Sequence, residues 1–218
     1  SEVTSDTLTL HYTLSQPEVY GITDYKIALP DYSADARKQS ALNIENISCG
    51  LQSYDYEVLT TEQKLTYDIL NDYVSSNRSQ SDYTYYPEIL RPSTGFPAQL
   101  PVLLSEYHFY DRKDVEDYLT LLSLIPSCFD SVLDYETNRI NEGLFLSDTQ
   151  ADTLIADLNT FCDNSSEHYL ITTFRNKVAE LPGLTAEEQA SYCIENEGAF
   201  REYVLPAYEA LRDFLVEH

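Results

Sequence analysis

Apolar residues recur at three- and four-residue intervals along most of the chain, the spacing of helices that bury one face. The clearest run is Asp111–Gly143. Asp111 is placed to cap a helix, and Asp114 and Glu116 follow in its first turn, where carboxylates suit the positive end of the helix dipole. Val115, Tyr118, Leu119 and Leu122 make the apolar stripe. Pro126 is expected to end that helix and to open a second one, on which Phe129, Val132, Leu133, Glu136 and Ile140 keep the same period up to Gly143. The pattern therefore predicts two amphipathic helices joined at a proline.

Other elements read in the same way. Leu8, Leu10, Tyr12 and Leu14 alternate, so Leu8–Leu14 fits a strand or a short helix, and Pro17, Gly21 and Pro30 make the rest of residues 1–32 irregular. A helix over 34–50 follows a Ser33 cap, with Ala41, Ile44, Ile47 and Leu51 on one face and Gly50 at its end. Thr60 and Gln63 fit a capping box for a helix over 61–76, with Leu65, Ile69, Leu70 and Tyr73 on its apolar face. Residues 77–98 carry alternating tyrosines and four helix breakers (Pro87, Pro92, Gly95 and Pro97) and read as a long irregular segment. A short helix over 98–107 must hold Pro101 in its first turn. Capping pairs Ser147/Gln150 and Thr185/Glu188 open further helices, one with Leu154, Ile155, Leu158 and Phe161, the other running from 186 toward 216. Between them lies a helix over 166–180. Pro206 should kink or divide the last helix. The expected fold class is all-α: a bundle of about eight helices with one long Tyr/Pro-rich segment, in a single domain over 1–218.

Charge narrows the function. With 13 Lys+Arg against 37 Asp+Glu the formal net charge is −24, a surface that repels nucleic acid and anionic lipid. No apolar run approaches the ~20 residues that span a bilayer. The first residue is not Met and SEVTSDTLTL does not resemble a signal peptide, so the chain is expected to be a mature form or an excised piece. Cys49, Cys128, Cys162 and Cys193 are too far apart for a structural zinc site and are expected to be buried free thiols, with disulfides as the alternative for an exported protein.

Chemistry is sparse. The four histidines, His11, His108, His168 and His218, form no HExxH, and there is no phosphate loop and no nucleophile motif. The nearest metal-like grouping is Glu106 and His108 with Asp111 and Asp114; a helix end followed by a cap explains it as well. Asp163-Asn164-Ser165-Ser166-Glu167 has oxygen ligands without EF-hand spacing and reads as a turn. No catalytic or metal residue is assigned. The candidates for facing a ligand are Tyr83, Tyr85, Tyr86, Arg91 and Phe96, because tyrosine joins a flat apolar ring to a hydroxyl and so suits sugars and peptide side chains. Packing of the same rings onto the helices is the plainer reading.

Several segments in order, SDTLTLHYTLSQPEVYGI, LTTEQKLTYDIL, LRPSTGFPAQLPVLLSEYHFYDRKDVEDYLTLLSLIP, NRINEGLFLS and FREYVLPAYEALRDFL, resemble the bacterial family grouped as domain of unknown function 885, in its N-terminal region. The resemblance implies a largely helical, zinc metallopeptidase-like parent whose HExxH-type helix lies beyond this chain, and often export as a lipoprotein; a cytoplasmic location stays open. It implies a non-catalytic N-terminal domain that walls a substrate cleft, with its own C-terminal catalytic half as partner, peptide as the substrate, and zinc as a cofactor of the parent alone. Such a domain should expose an apolar patch. The alternatives are a glycan- or peptide-binding module using Tyr83–Pro97, and a scaffold without a ligand.

Overall fold

The computed structural model describes residues 6–80, 83–163 and 168–218. Among them there are helices and no strand: α1 (Thr7–Leu14), α2 (Ala34–Gln52), α3 (Thr61–Gln80), α4 (Phe96–Glu106), α5 (Arg112–Asn141), α6 (Asp148–Asp163), α7 (Tyr169–Glu180), α8 (Ala186–Ala199) and α9 (Leu205–Glu217), with short 3-10 turns at Pro17–Tyr20 and Tyr56–Val58. A π-helical turn, Phe200–Val204, joins α8 to α9, so the described helices form eight rods. Residues 164–167 of the oxygen-rich stretch lie outside the described residues.

The N-terminal alternation resolves as a helix. The Asp6 carboxylate accepts the Leu8 and Thr9 amides, and Thr7, Leu8, Leu10 and His11 are buried. Tyr12, which a strand would have placed with Leu8 and Leu10, points to solvent.

The core is built around α5, a single 30-residue helix. The expected break at Pro126 does not occur. A proline inside a helix costs ~3 kcal/mol or more, but here it sits half-buried while Leu121, Leu122, Ile125 and Phe129 on the adjoining turns are enclosed. Each such side chain contributes ~1.5–3 kcal/mol on burial, so packing on both sides holds the helix through the proline. Asp111 and Asp114 form the capping box that starts it. Around α5 pack α8, the π-turn and α9, while α6 lies along α9, α7 along α8, and α4 against α1 and α7.

Further boundaries depart from expectation, and α3 runs on to Gln80, four residues into the segment expected to be irregular. Gly50 lies inside α2, which runs on to Gln52. Pro101 lies inside α4 and not in its first turn, because Gly95 and Pro97 open that helix earlier than expected. The interruption expected at Pro206 takes the form of the π-turn, which ends at Val204, and Pro206 takes the second position of α9. Thr60/Gln63 and Thr185/Glu188 make complete capping boxes. At Ser147 the hydroxyl donates to Gln150 instead of accepting its amide.

The hairpin α2–α3 differs from the rest. Its helices pair with each other and with no other helix to a comparable extent. The stripe expected to be buried on α3 faces outward: Leu65 is 62% exposed, Ile69 61% and Tyr73 53%, while Val74 is the enclosed residue. Leu42 and Ile47 on α2 and Val58 between the helices are exposed as well.

Candidate functional site

The irregular segment between α3 and α4 is held in one shape by α5. The Tyr135 hydroxyl meets the Thr84 and Pro87 carbonyls at 3.1 and 2.9 Å. Arg139 donates from Nε to the Tyr85 carbonyl at 2.9 Å and from Nη2 to the Leu144 carbonyl at 2.7 Å, while Nη1 lies 3.1 and 2.9 Å from the two Glu136 carboxylate oxygens. Both charged side chains are enclosed. Burial pushes the Glu136 carboxyl up to about 7, against the pull of Arg139. At the far end Gly95 turns the segment into α4. A Cβ there would stand 2.3 Å from the Arg91 amide nitrogen and 2.6 Å from the Ile89 carbonyl oxygen, so backbone crowding, not φ, requires glycine.

These anchors shape an open pocket of about 750 Å³ bounded by α2, the last turn of α3 and residues 83–87. Arg37 stands in its wall. Its guanidinium lies 5.1 Å from the Tyr85 ring centre and 4.9 Å from that of Tyr135. It donates to the Tyr32 carbonyl and, at 3.4 Å, to the Tyr85 hydroxyl, and its Nε has no hydrogen-bond partner among the described residues. Lys38, Arg78 and Glu45 line the rim, with Ile44 and Pro87 as apolar surface.

The five candidate ligand-facing residues do not converge. Tyr83 and Tyr85 line this pocket. Tyr86 is exposed, edge-on to Tyr83 at 5.3 Å between centroids. Arg91 is exposed and pairs with Glu88 at 2.8 Å. Phe96 packs on Tyr32 and Phe129, and borders a separate pocket of about 420 Å³. Sequence reasoning missed Arg37, Tyr135 and Arg139. Two signals for them existed: a Glu on an apolar stripe with Arg three residues on, and an arginine in the first turn of a helix, where the dipole disfavours it.

The histidines and acidic groupings serve local structure. His11 Nε2 lies 2.6 Å from the Tyr25 hydroxyl, and burial lowers its pKa. His108 stacks on Tyr110. The Asp111 and Asp114 carboxylates are taken up by the cap of α5, Asp114 accepting the Tyr110 and Asp111 amides at 2.8 and 3.1 Å. His168 accepts the Leu170 amide at the start of α7, among Phe161 and Phe200. Among the described residues no three His, Cys, Asp or Glu side chains gather as a metal-binding group. The four cysteines are free, but only Cys128 is fully buried; it donates to the Pro30 carbonyl, and Cys49, expected to be inside, is exposed on α2. Among the described residues no helix is long and apolar enough to cross a membrane.

Comparison with known proteins agrees with the fold. A crystal structure from Colwellia psychrerythraea, described as a candidate lipoprotein, superposes with a TM-score of 0.83 at 15% sequence identity over 99% of this chain. The chain spans 40% of the length of that protein. No curated protein matches the sequence. The model of the DUF885 family, bacterial proteins of unknown function, matches residues 17–218, and the chain belongs to that family.

Proposed function

We propose that this chain is the non-catalytic N-terminal helical domain of a longer, exported, zinc-dependent peptidase. It forms one wall of the substrate cleft and docks on the catalytic half through α2–α3. The observation that carries the reading is the outward-facing stripe Leu65, Ile69 and Tyr73, with Leu42, Ile47 and Val58 also exposed on the same hairpin. Single exposed apolar residues are ordinary, but a helix that turns most of its apolar positions to water is an unfinished interface. The length of the structural neighbour supports it, since this fold accounts for 40% of that chain. The zinc and the peptide substrate rest on the family resemblance of the sequence. That resemblance assigns the metal to the other half, and no step is assigned to this chain. Metal analysis and a peptide-hydrolysis assay on the purified chain test the division of labour: neither stoichiometric zinc nor turnover is expected, and stoichiometric zinc contradicts it.

A second reading, a ligand-binding module, is favoured by one observation, the pocket that Tyr83 and Tyr85 share with Arg37.

A further inference from the structure

We propose that the pocket between α2, the end of α3 and residues 83–87 binds a monocarboxylate carried on a ring-sized body. Its described lining lies on α2, the last turn of α3 and residues 83–87, so the proposal is tested on the purified chain alone.

Among the described residues, three cations, Arg37, Lys38 and Arg78, line this pocket with one carboxylate, Glu45. That inverts the ratio of the whole chain, 13 Lys+Arg to 37 Asp+Glu. The rim cations are already engaged: Lys38 stands 3.5 Å from Asp35, and Arg78 is 3.1 Å from Glu45. Arg37 differs, because no carboxylate lies within ion-pair distance of it among the described residues; its contacts are a carbonyl, a hydroxyl and two aromatic faces. A guanidinium stacked in this way is oriented before any ligand arrives, so little side-chain entropy is lost on binding. Its flat fork matches a carboxylate. One uncompensated cation suits a monoanion better than a phosphate dianion, and the chain's net charge repels extended polyanions.

The body of the ligand follows from the neighbours. Tyr83, 56% exposed at the rim, presents a flat apolar face, and Ile44 and Pro87 supply apolar surface. A space of about 750 Å³ holds a molecule of one or two rings. An acidic sugar and the end group of a peptide share this chemistry.

The test is calorimetric or ligand-observed NMR titration of the purified chain. The probes are sodium glucuronate and sodium N-acetylphenylalaninate, with glucose and N-acetylphenylalanine amide as neutral controls. Saturable binding of at least one carboxylate, with a Kd of ~1 mM or tighter, is expected. Binding of glucuronate alone assigns the pocket to acidic saccharides, of the amino-acid derivative alone to peptide ends, and of both to the carboxylate itself. Arg37→Gln should weaken binding by ~10-fold or more with the circular dichroism spectrum unchanged. If that variant fails to fold, Tyr83→Ala, which alters an exposed ring, should still weaken binding several-fold. The proposal is overturned if neither carboxylate saturates, if the neutral controls bind as tightly, or if folded Arg37→Gln, or in its place Tyr83→Ala, binds like the parent.

Discussion

The Tyr208 hydroxyl donates to the Pro97 carbonyl at 2.8 Å, across 111 positions of sequence. That carbonyl is available because the residue four positions on, Pro101, has no N–H to give it. A proline inside α4 thus becomes an attachment point for α9, and it lets a fully buried tyrosine keep its hydroxyl satisfied. Tyr208→Phe should cost ~1–2 kcal/mol by leaving the carbonyl without a donor. Pro101→Ala supplies the missing amide, so Tyr208→Phe should cost ~1 kcal/mol less in that background. A double-mutant cycle by urea unfolding measures the coupling; additive effects would show that the two prolines and the tyrosine are unrelated.

Removing Arg139 leaves Glu136 buried with no partner and frees the Tyr85 and Leu144 carbonyls. Arg139→Met should therefore destabilise the chain by ~3–5 kcal/mol at pH 8. The Glu136 pKa is already raised to about 7 by burial, and losing the arginine raises it further. At pH 5 the carboxyl can be neutral, so the loss should be smaller there. Denaturant melts at the two pH values decide this; an equal loss at both would place the whole cost in the freed carbonyls.

Burial lowers the His168 pKa from 6.5 to about 4. Above 6.5 both folded and unfolded chains hold a neutral imidazole. As pH falls from 6.5 toward 4 the unfolded chain takes up a proton that the folded one refuses, so this residue's share of stability is lost in that window. Glu136 has the opposite sign: its raised pKa adds stability as pH falls from about 7 toward 4.5. The wild-type curve is the sum, so the informative quantity is the difference from His168→Asn, which keeps an acceptor for the Leu170 amide. Relative to that variant the wild type should lose on the order of 2 kcal/mol, roughly 4–8 °C in Tm, between pH 7 and pH 4.5. A constant difference across this range would contradict the assignment.

Helix existence was readable wherever caps and period agreed, as at Asp111, Thr60 and Thr185, because both signals are local. The errors have tertiary causes. Pro126 is a local breaker overruled by the burial of Ile125 and Phe129, and no local rule states how much packing its neighbours will receive. On α3 the period was read correctly and the burial wrongly, since Leu65, Ile69 and Tyr73 are spaced for a partner that these residues do not supply. The pocket was half visible. Tyrosines in a Pro-rich loop draw notice, but Arg37 and Arg139 reach them from α2 and α5, 48 and 54 positions away, a distance that pattern alone does not bridge.

The central claim is that the α3 stripe is an interface completed by the rest of a longer protein. Ile69→Asp places a charge in the middle of it. In this chain, where Ile69 already meets water, the substitution should change stability by no more than ~0.5 kcal/mol. In the full-length protein proposed above it should cost ~3 kcal/mol or more, because the same carboxylate would be buried without a partner. Thermal melts of the two pairs give the answer. A large loss confined to the longer protein is the predicted result, and an equally small loss in both contradicts the account.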